Sequence, residues 1–260
     1  MTRSAGSKTR ILIGASSFAD AAAALRILRA LRPDTPFTYG GLFVEESATI
    51  ALCHLPNQRI VSSSGTLVVA PSLPQVRTVL EADARAFRAS LQAMSGPTAD
   101  RWTFERSMGD LVKSALQASA GWDIIVFGHR NIHPVDGKIV LLETSGTNDQ
   151  TLEAFADHLS DAVSAERVVF AVGPDAPTPP GHRRFETMTE ALAAVDRMNV
   201  QAVLVDLARG PIHSPDELRR LLELARCPVF AFGATLSGTR LEHGTQIPPA
   251  PGTRRDPNEP

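Results

Sequence analysis

Short apolar runs alternate along this chain with longer segments whose apolar residues recur every three or four positions, the pattern of strands and helices in an α/β protein. Arg10 to Gly14 reads as a first strand, and Ala19 to Leu31 as a helix with Leu25, Leu28 and Leu31 on one face. Phe37 to Val44 is a second strand. Thr49 to Pro71 carries two β-like pieces, Thr49 to Cys53 and Thr66 to Val69, around a polar Ser62 to Gly65 turn, and reads as an inserted hairpin. Ser72 has the place of an N-cap for a long helix in which Leu73, Val76, Leu80, Phe87, Leu91 and Met94 lead to a stop at Ser95-Gly96-Pro97. Arg101 to Arg106 alternates as a third strand.

The stretch from Gly109 to Arg130 is the most informative. Asp110 sits where a carboxylate suits the positive end of a helix, and Leu111, Val112, Ala115 and Leu116 follow at helical spacing. Ile124 to Phe127 is an unbroken apolar run, as expected of a parallel strand covered on both faces. Gly128, His129 and Arg130 then lie at its carboxyl end, where open α/β sheets bind their ligands.

Only nine residues, His129 to Gly137, precede the next strand at Lys138 to Leu142, too few for a helical crossover within the same sheet order. A new unit is therefore expected there. Helices at Thr151 to Val163, Thr187 to Met198 and Pro215 to Arg226 alternate with strands at Arg167 to Val172, Ala202 to Leu207 and Pro228 to Phe232, repeating the plan in shortened form. Asp175 to Gly181 is a proline-rich loop. The fold class is thus α/β, two Rossmann-like open parallel sheets in tandem. The expected boundaries are a tail at 1–9, units at 10–137 and 138–236, and a tail from 237 to 260 whose composition predicts disorder.

Composition changes this picture mainly by exclusion. An apolar content of 43% is ample for a core, and a formal charge of −2 gives no reason to expect nucleic acid or an anionic membrane as partner. No window approaches a membrane span, and the basic start lacks the apolar stretch of a secretory signal. Cys53 and Cys227 make no metal or redox pattern, so two buried thiols and a cytoplasmic location are expected.

In order, Ile11 to Ser17 (ILIGASS), Phe37 to Glu46 (FTYGGLFVEE), Gly109 to Leu116 (GDLVKSAL), Trp122 to Gly128 (WDIIVFG) and Ala225 to Phe232 (ARCPVFAF) resemble the segments of the universal stress protein family. The resemblance covers most of residues 10 to 234. It implies two such folds in one chain, forming an internal pseudo-dimer whose units pair through the last strand, here Val229 to Phe232. It also shows where this chain departs. ATP-binding members carry an acid after the first strand and a Gly-x2-Gly-x9-Gly-Ser/Thr loop after the fourth. Here Ala15 and Ser16 stand where the acid is expected, and Asn131 takes the position of the second glycine. A phosphate cradle needs glycines because backbone N–H groups must approach oxygen closely, so a triphosphate grip is not expected. In the second half Glu143 does follow the first strand, before Thr144, Ser145 and Gly146, but Asp206 to Gly210 again lacks the glycine loop.

No catalytic constellation emerges. The GASSF turn lacks the Gly-x-Ser-x-Gly of a hydrolase elbow. His129 and His133 have the spacing of a helical metal pair, but Pro134 argues against a helix and no third ligand is near in sequence, so no metal and no cofactor are expected. Ser16 and Ser17 are phosphate donors at a helix start or simply its cap. Glu45, Glu46 and Asp206 are acids at strand ends that face a crevice or solvent. The leading expectation is a non-enzymatic regulatory or stress-response protein acting through a protein partner, a homodimer or a small-molecule ligand. The alternative is an adenine-nucleotide-binding protein or nucleotide-dependent enzyme whose ligand would sit among Ala15, Ser16, Ser17, Val44, Gly128, His129 and Arg130. An unrelated α/β enzyme is the third.

Overall fold

The computed structural model describes residues 9–31, 37–55, 59–61, 65–95, 102–130, 137–144, 150–174 and 181–234. In chain order the elements are β1 (Arg10–Ala15), α1 (Phe18–Ala30), β2 (Thr38–Glu46), α2 (Ser47–Leu52), β3 (Arg59–Val61), β4 (Leu67–Val69), α3 (Leu73–Ser95), β5 (Trp102–Gly109), α4 (Leu111–Gln117) and β6 (Ile124–Phe127). There follow β7 (Lys138–Thr144), α5 (Gln150–Val163), β8 (Arg167–Val172), β9 (His182–Phe185), α6 (Met188–Asp196), β10 (Val200–Asp206), α7 (Pro215–Ala225) and β11 (Val229–Phe232).

Helix starts follow the local chemistry. Ser17, Asp110, Thr187 and Ser214 each accept a first-turn amide hydrogen through the side chain, at α1, α4, α6 and α7. Pro215 opens α7, and Arg226 ends it in a left-handed conformation at φ 49°.

One nine-stranded sheet, in the order β5-β2-β1-β6-β11-β10-β7-β8-β9, carries the fold. Every pairing in it is parallel except β11 with β6, which is antiparallel from Val229 opposite Phe127 to Phe232 opposite Ile124. The two sheets expected from the sequence are therefore joined edge to edge. On each side of the joint the strands run in the same sequence-relative order, third-second-first-fourth, but the second half also has a fifth strand, and that strand is β11. It completes its own half in parallel with β10 and the other half in antiparallel with β6. The expected contact strand is consequently interior, with hydrogen bonds along both sides and all four residues buried; it offers no free edge.

The reversal also accounts for the short connection after β6. Because β7 runs opposite to β6, it starts at the end of the sheet where β6 stops, three strand spacings or about 14 Å away. A connection of ten residues, 128 to 137, is long enough to span that distance.

Helices α1, α3 and α5 pack on one face, with Leu25, Leu28, Phe87, Leu91, Leu152 and Leu159 against Ile11, Ile13, Phe43, Val126, Leu141 and Phe230. Helices α4, α6 and α7 cover the other, where Val112, Ala115, Leu192, Leu218 and Leu221 meet Leu12, Phe127, Leu142, Val205 and Ala231. Each central strand is thus buried on both faces, which is why its sequence is a continuous apolar run.

Two expectations are corrected. Thr49 to Cys53 is not a strand: Ser47–Leu52 is helix α2, with no buried residue, so its β-branched Thr49 and Ile50 do not mark a core strand. The inserted hairpin is instead β3 against β4. The second half has five strands in the large sheet against four from the first, because His182–Phe185 adds β9 beside β8. Cys227 is buried as expected, whereas Cys53 is only half-buried. The terminal tails, His133, Ser145 and Gly146 lie outside the described residues, apart from Thr9.

Candidate functional site

The strand order reverses between β1 and β6 in the first half and between β7 and β10 in the second, so each half has a crevice at the carboxyl ends of those strands. Since the halves are antiparallel, the two crevices open at opposite ends of the sheet.

The first crevice gathers most of the residues singled out from the sequence. Ala15 ends β1 and is fully buried; Gly128 follows β6 and donates its N–H to Gly14 O at 2.8 Å. A Cβ on Gly128 would lie 2.7 Å from Asp20 O, so this glycine lets the strand end press against the first turn of α1. Its requirement is one of packing. Ser17 is the N-cap of α1, taking the Asp20 N–H at 3.2 Å and donating its hydroxyl to Asp20 Oδ2 at 2.6 Å. Val44 is fully buried on the side of the sheet facing α4. His129 is half-buried, with Nδ1 3.1 Å from Arg130 O, and the Arg130 side chain is exposed.

Two carboxylates also border this crevice. Asp83, from α3, accepts the Phe18 N–H through Oδ2 at 3.1 Å, and Asp20 accepts the Arg130 N–H through Oδ1 at 2.7 Å. Two of the backbone donors that a phosphate would seek, the Phe18 amide at the start of α1 and the Arg130 amide after β6, are engaged by the protein's own carboxylates. Those carboxylates also set negative charge where an anion would sit. Asp20 was legible as the acid of a Ser-x-x-Asp capping pattern starting at Ser17. Asp83 carried no local signal, because its partner is 65 positions away.

The glutamates ending β2 are also engaged. Glu45 pairs with Arg106 at 2.7 Å, and the same guanidinium holds Glu81 at 2.7 Å. Glu46 accepts the Leu111 N–H at 3.2 Å; burial raises its pKa, the Leu111 hydrogen bond opposes this, and Asp110 adds to the rise. Asp110 in turn accepts Arg219 Nη2 at 3.0 Å, linking the start of α4 to α7 across the joint between the halves. Arg219 also pairs with Asp216.

In the second crevice Glu143 lies 3.4 Å from His182 Nδ1, both side chains largely buried. Burial raises the Glu143 pKa, and His182 partly offsets the rise. Asp206, only 6% exposed, turns back on its own loop: Oδ1 accepts the Ala208 and Arg209 amides at 2.8 and 3.3 Å, and Oδ2 takes Arg209 Nε at 3.0 Å. A Cβ on Gly233, at φ 68°, would come within 2.7 Å of Asp206 Oδ1. This acid organises the end of β10.

Among the described residues no group of three or more His, Cys, Asp or Glu is placed to hold a metal ion, and no helix is long and apolar enough to cross a membrane.

No protein-family model matches the sequence, and no curated protein matches it. Among solved structures, a universal stress protein from Archaeoglobus fulgidus DSM 4304 aligns over 85% of this chain and 95% of its own, with TM-score 0.46 and 11% identity. The cytoplasmic domain of a prokaryotic cation chloride cotransporter aligns over 90% of this chain and 100% of its own, with TM-score 0.38 and 11% identity. The functional reading therefore rests on the crevices themselves.

Proposed function

We propose that this chain is a non-catalytic protein of the universal stress type, built as two α/β units joined through one shared strand. In this reading it serves a regulatory or stress-response role through a partner or small ligand and does not bind ATP in its first crevice. The observation that carries the proposal is the pair of internal carboxylates: Asp83 on the Phe18 amide and Asp20 on the Arg130 amide use the donors and the electrostatic space a triphosphate would need. The repeated strand order and the antiparallel meeting of β6 with β11 support the two-unit reading, since the resemblance implies units paired through a last strand.

Thermal denaturation with ATP, AMP and cyclic AMP tests it. A ligand that binds only the folded state raises stability by about 2.7 kcal/mol at a concentration of roughly 100 Kd. The expected response is flat for all three nucleotides; saturable stabilisation by any of them would return the adenine-nucleotide reading to first place. Replacing Gly128 is not a suitable control, because a side chain there collides with the α1 backbone whether or not a ligand binds.

A further inference from the structure

Among the described residues, the exposed large apolar side chains are Leu52, Leu55, Val61, Val69, Val79 and Met108, and all of them belong to one end of the molecule. Helix α2 follows β2 and touches the ends of β2 and β5, and the start of α3 lies at that end too, since Glu81 reaches Arg106 on β5. The β3–β4 hairpin is tethered between α2 and α3, and among the described residues its strands pair only with each other. An isolated pair of three-residue strands is marginal in water, so a hairpin this small gains most from a surface that covers it.

The hairpin and the body behind it carry complementary surfaces. Arg59 pairs in register with Val69 and Val61 with Leu67, so Arg59, Val61 and Val69 share one hairpin face. The valines are 69% and 78% exposed, and Arg59 is exposed as well. On β5, Met108 is 64% exposed and pairs in register with Glu45. The single guanidinium of Arg106 serves both Glu45 and Glu81, which leaves one net negative charge beside Met108. By contrast, the chain has no Asp or Glu from Ser47 to Leu80, where its only formal charges are Arg59 and Arg77. Since Val61, Val69 and Met108 are all open to solvent, the hairpin face does not cover the Met108 surface of its own chain.

We propose that a second copy of this chain covers this end, in a two-fold dimer in which the hairpin of each copy lies on the Met108 surface of the other. Val61 and Val69 then meet Met108, and Arg59 faces Glu81 and Glu45. Exposed apolar side chains rimmed by charge mark a protein contact, and a two-fold arrangement uses both complementary surfaces twice and leaves neither open. An unrelated acidic partner would satisfy Arg59 but leave Met108 and Glu81 uncovered. The dimer rests on the proposed function only in giving its partner role an occupant; it is read by mass and not by nucleotide response, so either can fail alone.

Sedimentation velocity of the full chain over a concentration series tests this, and the unaltered chain should sediment as a dimer. Arg59→Glu and Glu81→Arg each set like charges face to face at both contacts, and each should raise the dimer dissociation constant more than roughly tenfold. Mixing the two variants restores opposite charges at one contact and keeps the original pair at the other, so a one-to-one mixed dimer should form. Arg106 keeps Glu45 when Glu81 is replaced, and melting curves check that each variant remains folded. Val61→Ser with Val69→Ser, at exposed hairpin positions, is a second check and should also dissociate the dimer. A monomer throughout the series, a dimer that these substitutions leave unchanged, or charge variants that stay apart when mixed would overturn the proposal.

Discussion

The Asp83 carboxylate accepts the Phe18 amide hydrogen at 3.1 Å, so a side chain from the long helix α3 serves the start of α1 as a bound anion would. With Ser17 taking the Asp20 amide, two first-turn donors of α1 have partners within the chain. The crevice has the location of a phosphate site, with Asp83 and Ser17 already bonded to two of its helix-start amides.

Removing these caps should be measurable. Ser17→Ala and Asp83→Ala are each expected to cost about 1 kcal/mol in urea unfolding, as loss of a helix cap does. Values near zero for both would mean that the hydrogen bonds at the start of α1 contribute nothing to the fold.

Glycine substitutions should separate tight packing from open space. Gly128→Ala, against the Asp20 carbonyl, and Gly40→Ala, against the Trp122 ring, are expected to destabilise by about 1–3 kcal/mol each. Gly181→Ala meets nothing within 4 Å, and its cost comes only from a φ of 88°. Urea midpoints that rank Gly181→Ala as the most damaging of the three would contradict this packing account.

Two glutamates give stability a pH dependence of defined sign. Burial raises the folded-state pKa of Glu46 and of Glu143 above the unfolded value, so between those values the folded chain holds more protons. Their contribution is fully present below the unfolded carboxyl pKa and is lost as pH rises through the raised folded pKa. Glu46→Gln, which keeps an oxygen for the Leu111 amide, should remove its share of this decline when unfolding free energy is followed from acid to neutral pH. A steeper decline in the variant would reverse the assigned sign.

Arg219 links the two halves at the surface, from α7 to Asp110 at the start of α4. Its side chain is 33% exposed, so screening limits the coupling to below about 1 kcal/mol in an Arg219→Ala and Asp110→Ala double-mutant cycle. Added salt should shrink it further. A coupling that survives high salt undiminished would mark the pair as buried in effect.

Deleting residues 226 to 234 removes β11 and exposes the hydrogen-bonding edges of both β6 and β10, together with Phe155, which packs on Phe230 and Phe232. Cooperative unfolding should be lost. Retention of the full-length melting curve would show that the halves do not need the strand they share.

Much of the fold was legible where one residue's surroundings are set by its near neighbours. The run Ile124 to Phe127 announced a doubly covered strand, and Asp110 and the Ser17 turn announced helix starts. What escaped depends on distant partners. His182–Phe185 is polar in sequence because β9 is the outermost strand of the sheet, and α2 hid in a short β-branched run that packs on little. The joint at β11 was suggested only through the family resemblance; no local pattern tells a strand that its second neighbour will be antiparallel. The site followed the same rule: Gly128, Ser17 and Arg130 could be placed together at a strand end, whereas the two acids occupying that place were visible only as an N-cap partner and as one more polar position on α3.

The central proposal is that the first crevice does not take a nucleoside triphosphate, because Asp83 and Asp20 engage the Phe18 and Arg130 amides there. Titration calorimetry of ATP with magnesium into the full chain tests this directly. The account predicts heats indistinguishable from dilution; a saturable isotherm that weakens on Arg130→Ala would contradict it.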